Sequence, residues 1–460
     1  MAGELPVAES APGNKENAET ETWPHSWVGF RKFGLATGKC ICLHQHVKKL
    51  LQSIGPAIVV AAVVLGPGSI LTSSKVGATF GPLGIPVIIG AAILMIGMVA
   101  LAARIGVVYE DSACDELSRR LGRQVAVLVG GILFVLVALF QSSNNIALVA
   151  GLSPLVEMGT GGEPMGNTAK LVLLVVFNGF VIACLYLMRD LYKSVEKLMK
   201  LLIGFMVIAF LVNFVVAYLT PRDFEPVTPE SKGDLIALLG MIGTTFSVGG
   251  AFYQSYLVKE KGWGIPEAKR GVIDSVVSIS VLGMVTLVIL LTSTRVFFGD
   301  PNAVELKSVD QVARQLEPLF GAWATVIFSL GIFAGAFSSF LVNSMIGGTV
   351  MADSLGKGSR LTDSWPIHMT AAALLVGMIV AISSLLKEGS TVALITFAQA
   401  LTVLGIPILA AALIYLGTRK ELVSDRKVPG WILGLACVGL VVSIVLAIRT
   451  AMAVWDKIQG

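Results

Sequence analysis

Two apolar stretches of this chain are broken at their centres by residues that free the backbone. Ile54–Phe80 contains Gly66-Pro67-Gly68-Ser69, and Leu235–Val258 contains Ser247-Val248-Gly249-Gly250. A membrane helix satisfies its own amides and carbonyls, and lipid offers no replacement. A break at mid-depth therefore survives only where it lines a cavity or holds something. Breaks at corresponding positions of two halves point to a solute site at the bilayer midplane. Half-helices beginning near Ser69 and Gly250 would present free amides and roughly +0.5 charge each. Ser69, Thr72 and Ser73 fall on one helical face, with Lys75 one turn further on. With no acidic residue in either break, these groups predict a seat for a carboxylate or another small anion.

The elements that position these residues are membrane spans. Of 460 residues, 55% are hydrophobic and only 14% charged, and the mean hydropathy is +0.81. A soluble domain carries about 25% charged residues, so the chain reads as an all-α polytopic membrane protein. The net charge of +4 is modest. Its Lys and Arg residues sit in short loops, which argues topology and excludes nucleic-acid binding. The lipid bilayer and a small-molecule or ion substrate are the expected partners, with no obligate protein partner. No P-loop, H-E-x-x-H, G-x-S-x-G or complete G-x-G-x-x-G occurs, so neither an enzyme nor a cofactor is expected.

Runs of about 20 apolar residues give eleven predicted spans: 54–80, 83–108, 125–152, 171–188, 195–219, 235–258, 272–298, 320–351, 367–386, 392–416 and 431–454. Basic residues in alternate loops predict a cytoplasmic amino terminus and an external carboxy terminus in a plasma or bacterial inner membrane. Five spans per repeat invert its direction. Residues 51–220 and 221–418 then form two inverted repeats of the leucine-transporter type, each opening on a broken helix. Residues 1–50 read as a largely disordered tail, and 419–460 as a loop, an added eleventh helix and a short end. In the tail, Cys40, Cys42, His44 and His46 alternate before Lys48-Lys49. The spacing is not that of a zinc site, and an interfacial amphipathic segment is the preferred reading.

Around the breaks the sequence resembles the NRAMP family of divalent metal transporters. That family's first break reads Asp-Pro-Gly-Asn where this chain has Gly66-Pro67-Gly68-Ser69. Its sixth-span Gly-Ala-Thr-Val-Met-Pro-His corresponds to Gly243-Thr244-Thr245-Phe246-Ser247-Val248-Gly249, with Gln254 and Ser255 further on. Ala103-Arg104-Ile105-Gly106, Ala334-Gly335-Ala336-Phe337-Ser338-Ser339 and Ala398-Gln399 through Pro407 match other family segments. The resemblance implies an alternating-access transporter whose substrate contacts are Gly66, Pro67, Gly68, Ser69, Thr244, Ser247, Gly249, Gly250, Gln254 and Gln399. It also marks the departures. The family's metal-binding Asp, Asn and Met are replaced by Gly66, Ser69 and Ser247, and its proton-carrying Asp and Glu by Asn145 and Leu148. Its sixth-span histidines are replaced by Gly249 and Gln254. No metal site is therefore expected.

Several residues keep two readings. Lys75 either snorkels to the outer interface or attracts an anion. Gly249-Gly250 either form the site or permit close helix contact. Gln141, Asn144 and Asn145 either line the pathway or join helices. The preferred substrate is a small anionic or polar metabolite. The alternative is a partly hydrated divalent cation, with Mg²⁺ the leading candidate because it keeps its waters. A non-transporting membrane sensor is the further alternative.

Overall fold

The first span breaks where its sequence forces it. In the computed structural model, helix α1 (Ala57–Val64) ends at Leu65, and α2 (Pro67–Phe80) begins on a proline. Proline suits the first helical position because it lacks a donor and fixes φ, and it pushes the residue before it out of the helical region. Gly66 is accordingly extended, at φ −79° and ψ 177°. Every residue of α1 is buried, at 0–5% exposure. In the sixth span, α8 (Leu235–Thr245) and α9 (Val248–Glu260) flank Phe246 and a non-helical Ser247 at φ −83°, ψ 87°. Phe246 is fully buried and close enough to Gly439 that a Cβ there would come within 2.7 Å of its ring. Both breaks are shorter than the sequence reading has them. The second half-helices start at Pro67 and Val248, so Gly68, Ser69, Gly249 and Gly250 are already helical.

The structure describes residues 55–161, 163, 165–188, 191–222, 224–226, 235–300, 306, 322–386 and 390–459. For 235–236, 322–325, 390–402 and 453–459 the description is of the backbone. The predicted tail and its Cys40–His46 motif lie outside these residues. The remaining helices are α3 (Gly84–Val108), α4 (Ala113–Leu121), α5 (Arg123–Gly159), α6 (Asn167–Leu187), α7 (Leu191–Leu219) and α10 (Ala268–Phe297). They continue with α11 (Ala322–Ser354), α12 (Ser364–Leu386), α13 (Ser390–Gly417) and α14 (Gly430–Gln459). Eight helical segments are long and apolar enough to cross a membrane, among the described residues. Each of the predicted spans falls on one of these helices or on a broken pair. α5 and α11 pack along each other, α12 covers both, and α1 is enclosed by α7, α9, α10 and α11.

Helix α4 is absent from the sequence reading, which leaves 109–122 as a loop. Its signals are local. Ser112 accepts from the Asp115 amide at 3.1 Å, Asp115 and Glu116 occupy the first turn, and Arg119 and Arg120 the last. Gly122, at φ +92°, ends it in a region that other residues avoid. Arg120 ties this helix to the 418–427 loop, donating to Glu421 at 2.9 and 2.8 Å and to Glu116 at 2.9 Å. Both carboxylates raise the Arg120 pKa, the Glu421 bond first. Burial raises the Cys114 thiol pKa, so this cysteine is an inert core residue.

Glycines permit close helix approach at several crossings, two of them involving the broken helices. A Cβ on Gly106 would lie 2.3 Å from the Ser255 carbonyl, where α3 meets α9. A Cβ on Gly77 would lie 2.4 Å from the Leu290 carbonyl, where α2 meets α10.

Candidate functional site

The first break turns α1 carbonyls loose, and serine hydroxyls take them up. Ser69 Oγ donates to the Val64 carbonyl at 2.5 Å. From α11, Ser338 Oγ donates to Ala62 O and Ser339 Oγ to Val63 O, each at 3.0 Å. Thr72 Oγ1 donates to Gly68 O at 2.8 Å. The Leu65 carbonyl receives no hydrogen bond among the described residues. A Cβ on Gly335 would lie 2.7 Å from it, so that glycine leaves the carbonyl room.

The two breaks meet through their hydroxyls. Thr72 Oγ1 lies 3.3 Å from Thr244 Oγ1, and Thr244 Oγ1 donates in turn to Met241 O at 3.2 Å. Past Ser247 the ladder resumes with Ala251 N donating to Ser247 O at 3.1 Å. No i+4 amide reaches the carbonyls of Gly243, Thr244 and Thr245 among the described residues. The site therefore joins two helix carboxy-terminal ends to two amino-terminal ends. The sequence reading weighs only the latter.

Of the expected contacts, the structure gathers Gly66, Pro67, Gly68, Ser69, Thr244 and Ser247 at the breaks. Gly249 and Gly250 instead sit in helix walls. A Cβ on Gly249 would be 3.0 Å from Leu133 Cδ1, and one on Gly250 would be 3.3 Å from both Val60 and Val63. Both glycines thus permit close packing, Gly250 against α1. Gln254 lies one turn beyond Gly250, fully buried, with both amide atoms unpartnered among the described residues. The Ser73 and Thr245 hydroxyls are buried and unpartnered in the same way. The side chain of Gln399 lies outside the described residues, although its helix α13 is described. Lys75 is half-buried with no ion pair among the described residues.

Gln141 and Asn145 join α5 to other helices, and Asn144 braces Gln141 within α5. Gln141 Nε2 donates to Phe340 O at 2.7 Å, and Asn144 Nδ2 donates to Gln141 Oε1 at 2.7 Å. Asn178 of α6 donates to Asn145 Oδ1 at 2.7 Å. Asn144 Oδ1 alone in this set on α5 is buried without a partner. The side chains of this hydrogen-bonded set are all neutral amides, and Leu148 is apolar, so neither Asn145 nor Leu148 carries a titratable proton. The sequence reading assigns no role to Ser338 and Ser339. Their adjacency is visible in the sequence, but only the packing of α11 on α1 shows what they hold.

Among the described residues no group of three or more His, Cys, Asp or Glu could hold a metal ion. Any cation at the breaks would be met by hydroxyl, carbonyl and amide oxygens.

A family model described as natural resistance-associated macrophage protein-like matches residues 57–453. The divalent metal cation transporter MntH of Klebsiella pneumoniae subsp. pneumoniae is 23% identical over 406 residues, spanning 86% of this chain and 93% of that one. MntH of Verminephrobacter eiseniae is 24% identical over 318 residues, 66% of this chain and 68% of its own. A variant of the manganese transporter of Eremococcus coleocola has a similar fold at TM-score 0.72 and 18% identity, covering 94% of this chain and 90% of its own. The nucleobase-cation-symport-1 transporter Mhp1 follows at TM-score 0.55 and 11% identity, with 88% and 93% covered. These matches extend over the broken helices and their surroundings alike, and the chain belongs to the NRAMP family of membrane transporters.

Proposed function

We propose that this transporter carries a hard divalent metal cation, Mg²⁺ or Mn²⁺, with part of its water shell, by alternating access at the two breaks. The observation that carries the reading is the direction of the hydroxyls. Ser69, Thr72, Thr244, Ser338 and Ser339 all direct their protons at backbone carbonyls. A hydroxyl has one proton to give and two lone pairs to offer. With the proton committed, Ser69, Thr72 and Thr244 have lone pairs to offer the gap, which suits a cation, while Ser339 already accepts from Asn343 Nδ2 at 3.0 Å. The carbonyl-bearing ends of α1 and α8 add partial negative charge.

The anionic substrate expected from the sequence is not supported. That expectation rests on free amides and donor hydroxyls, and two of those hydroxyls, Ser69 and Thr72, give their protons to backbone carbonyls instead. The two MntH relatives named above are divalent metal cation transporters. The unpartnered atoms of Ser73, Thr245, Gln254 and Asn144 suit a hydrated passage, because a buried polar atom left unmatched costs about 1–3 kcal/mol. The oxygen-only donor set favours hard ions. The absence of a carboxylate favours a weakly held ion that keeps waters.

Thermal unfolding of the purified protein in a titration of MgCl₂, MnCl₂ and a panel of organic acid salts tests this. Stabilisation by the metals, diminished in Ser69→Ala, is expected. Stabilisation by an organic acid alone would overturn it.

A further inference from the structure

Helix α1 is short, wholly buried and held at both ends by side chains from other helices. At its carboxy-terminal end the holders are the neutral hydroxyls of Ser338 and Ser339. At its amino-terminal end the holder is a carboxylate. Asp274 of α10 accepts from Gly55 N at 2.6 Å and from Ala57 N at 2.8 Å, and Ser278 Oγ donates to the same group at 3.1 Å. The Trp263 ring closes over this end, so near that a Cβ on Gly55 would lie 2.6 Å from Cη2.

Asp274 is 0% exposed, and no Lys, Arg or His forms an ion pair with it among the described residues. A buried carboxylate is expensive unless hydrogen bonds and opposite charge compensate it. Here the compensation is two amides, one hydroxyl and the positive end of α1. If α1 moves away, water entering the gap rehydrates the carboxylate as it loses the amides. A contact that is satisfied both when closed and when wet is suited to reversible release, whereas a dry apolar contact is not. The other end of α1 is the Leu65–Gly66 break, where the helical ladder is already interrupted.

We propose that Asp274 is a positioning residue of the transport cycle. It latches α1 shut against α10, and its release from Gly55 and Ala57 opens the route to the breaks from that face. The proposal rests on alternating access, and its test needs no substrate, so it can fail independently of the metal reading.

The reporter is a single cysteine at Ala61 of α1, which is 0% exposed. It is placed in the full-length protein with the five native cysteines replaced by alanine and is labelled with a water-soluble maleimide. A second reporter, at Ala138 of α5, which is 4% exposed, reads general loosening. Asp274→Ala is expected to speed labelling at position 61 by about tenfold or more, the weight of hydrogen bonds to a charged group. Asp274→Asn, which keeps one acceptor oxygen, falls between. Labelling at position 138 stays unchanged in both. Equal rates at position 61 in Asp274→Ala and the parent would overturn the proposal, as would equal acceleration at both reporters. If Asp274→Ala does not fold, Ser278→Ala must still give a smaller acceleration at position 61 alone. Its absence there overturns the proposal too.

Discussion

Replacing Gly66 with alanine should be costly for a reason that lies across the helix interface. The backbone at Gly66, φ −79° and ψ 177°, is open to any residue, so conformational strain is not the cause. The added Cβ would sit 2.6 Å from Ser339 Oγ and 2.9 Å from Ser339 Cβ. Ser339 Oγ would have to retreat by about 0.8 Å to reach ordinary contact, as overpacked cores require. That retreat breaks its hydrogen bond to Val63 O, now 3.0 Å. Overpacking costs about 1–3 kcal/mol and the lost bond about 0.5–1.5 kcal/mol. Gly66→Ala should therefore destabilise the protein by about 2–4 kcal/mol. Ser339→Gly makes room for the methyl, so the double variant should recover about 1–2 kcal/mol relative to the sum of the singles. Denaturant unfolding in detergent, monitored by tryptophan fluorescence, measures all four corners. Simple additivity, or a Gly66→Ala protein as stable as the parent, would refute the packing argument.

Two further outcomes follow from charges away from the break. Lys75 repels a cation and attracts an anion, so Lys75→Gln should leave divalent cation uptake into proteoliposomes unchanged or faster; a clear loss of cation uptake would contradict this, and a loss of organic-anion uptake would show anion attraction. Burial raises the Glu260 pKa above the ordinary carboxylate range, although the Leu361 amide, donating to it at 2.8 Å, opposes this. The native protein then holds that proton more tightly than the unfolded chain. The site costs stability as pH rises from the unfolded pKa through the folded one. Glu260→Gln, which keeps the acceptor, should stabilise at neutral pH, and the gain should vanish on acidification. Unfolding midpoints across pH 4–8 check this.

Much of the fold was legible in the sequence because the membrane demands long apolar runs and Gly-Pro marks a break unambiguously. Pro67 also fixed where α2 starts, yet the reading placed that start two residues late by treating Gly68 and Ser69 as part of the gap. Helix α4 is not legible from apolar runs because its signals are a cap and a charge gradient. At the site, residue identities were visible but the direction of their hydrogen bonds was not. Serines beside free amides read as donors. Folding turns the Ser69 and Thr72 protons onto the Val64 and Gly68 carbonyls, so these two hydroxyls offer the gap lone pairs instead. For Gly249 and Gly250 the sequence left site lining and helix contact both open, and the neighbours Leu133, Val60 and Val63 became visible only in the packing. Asp274 gave no signal because its partners are backbone amides more than two hundred positions away.

The central claim is that oxygen lone pairs, unaided by a carboxylate, make the helix breaks a path for a divalent cation. Uptake of Mg²⁺ and Mn²⁺ into proteoliposomes, read by an enclosed fluorescent indicator, tests it most directly. The account predicts saturable entry of these ions that falls severalfold in Ser69→Ala, with a half-saturating concentration on the order of millimolar, as weakly charged oxygen sites show. No metal entry, together with accumulation of a labelled carboxylate that Ser69→Ala abolishes, would contradict it.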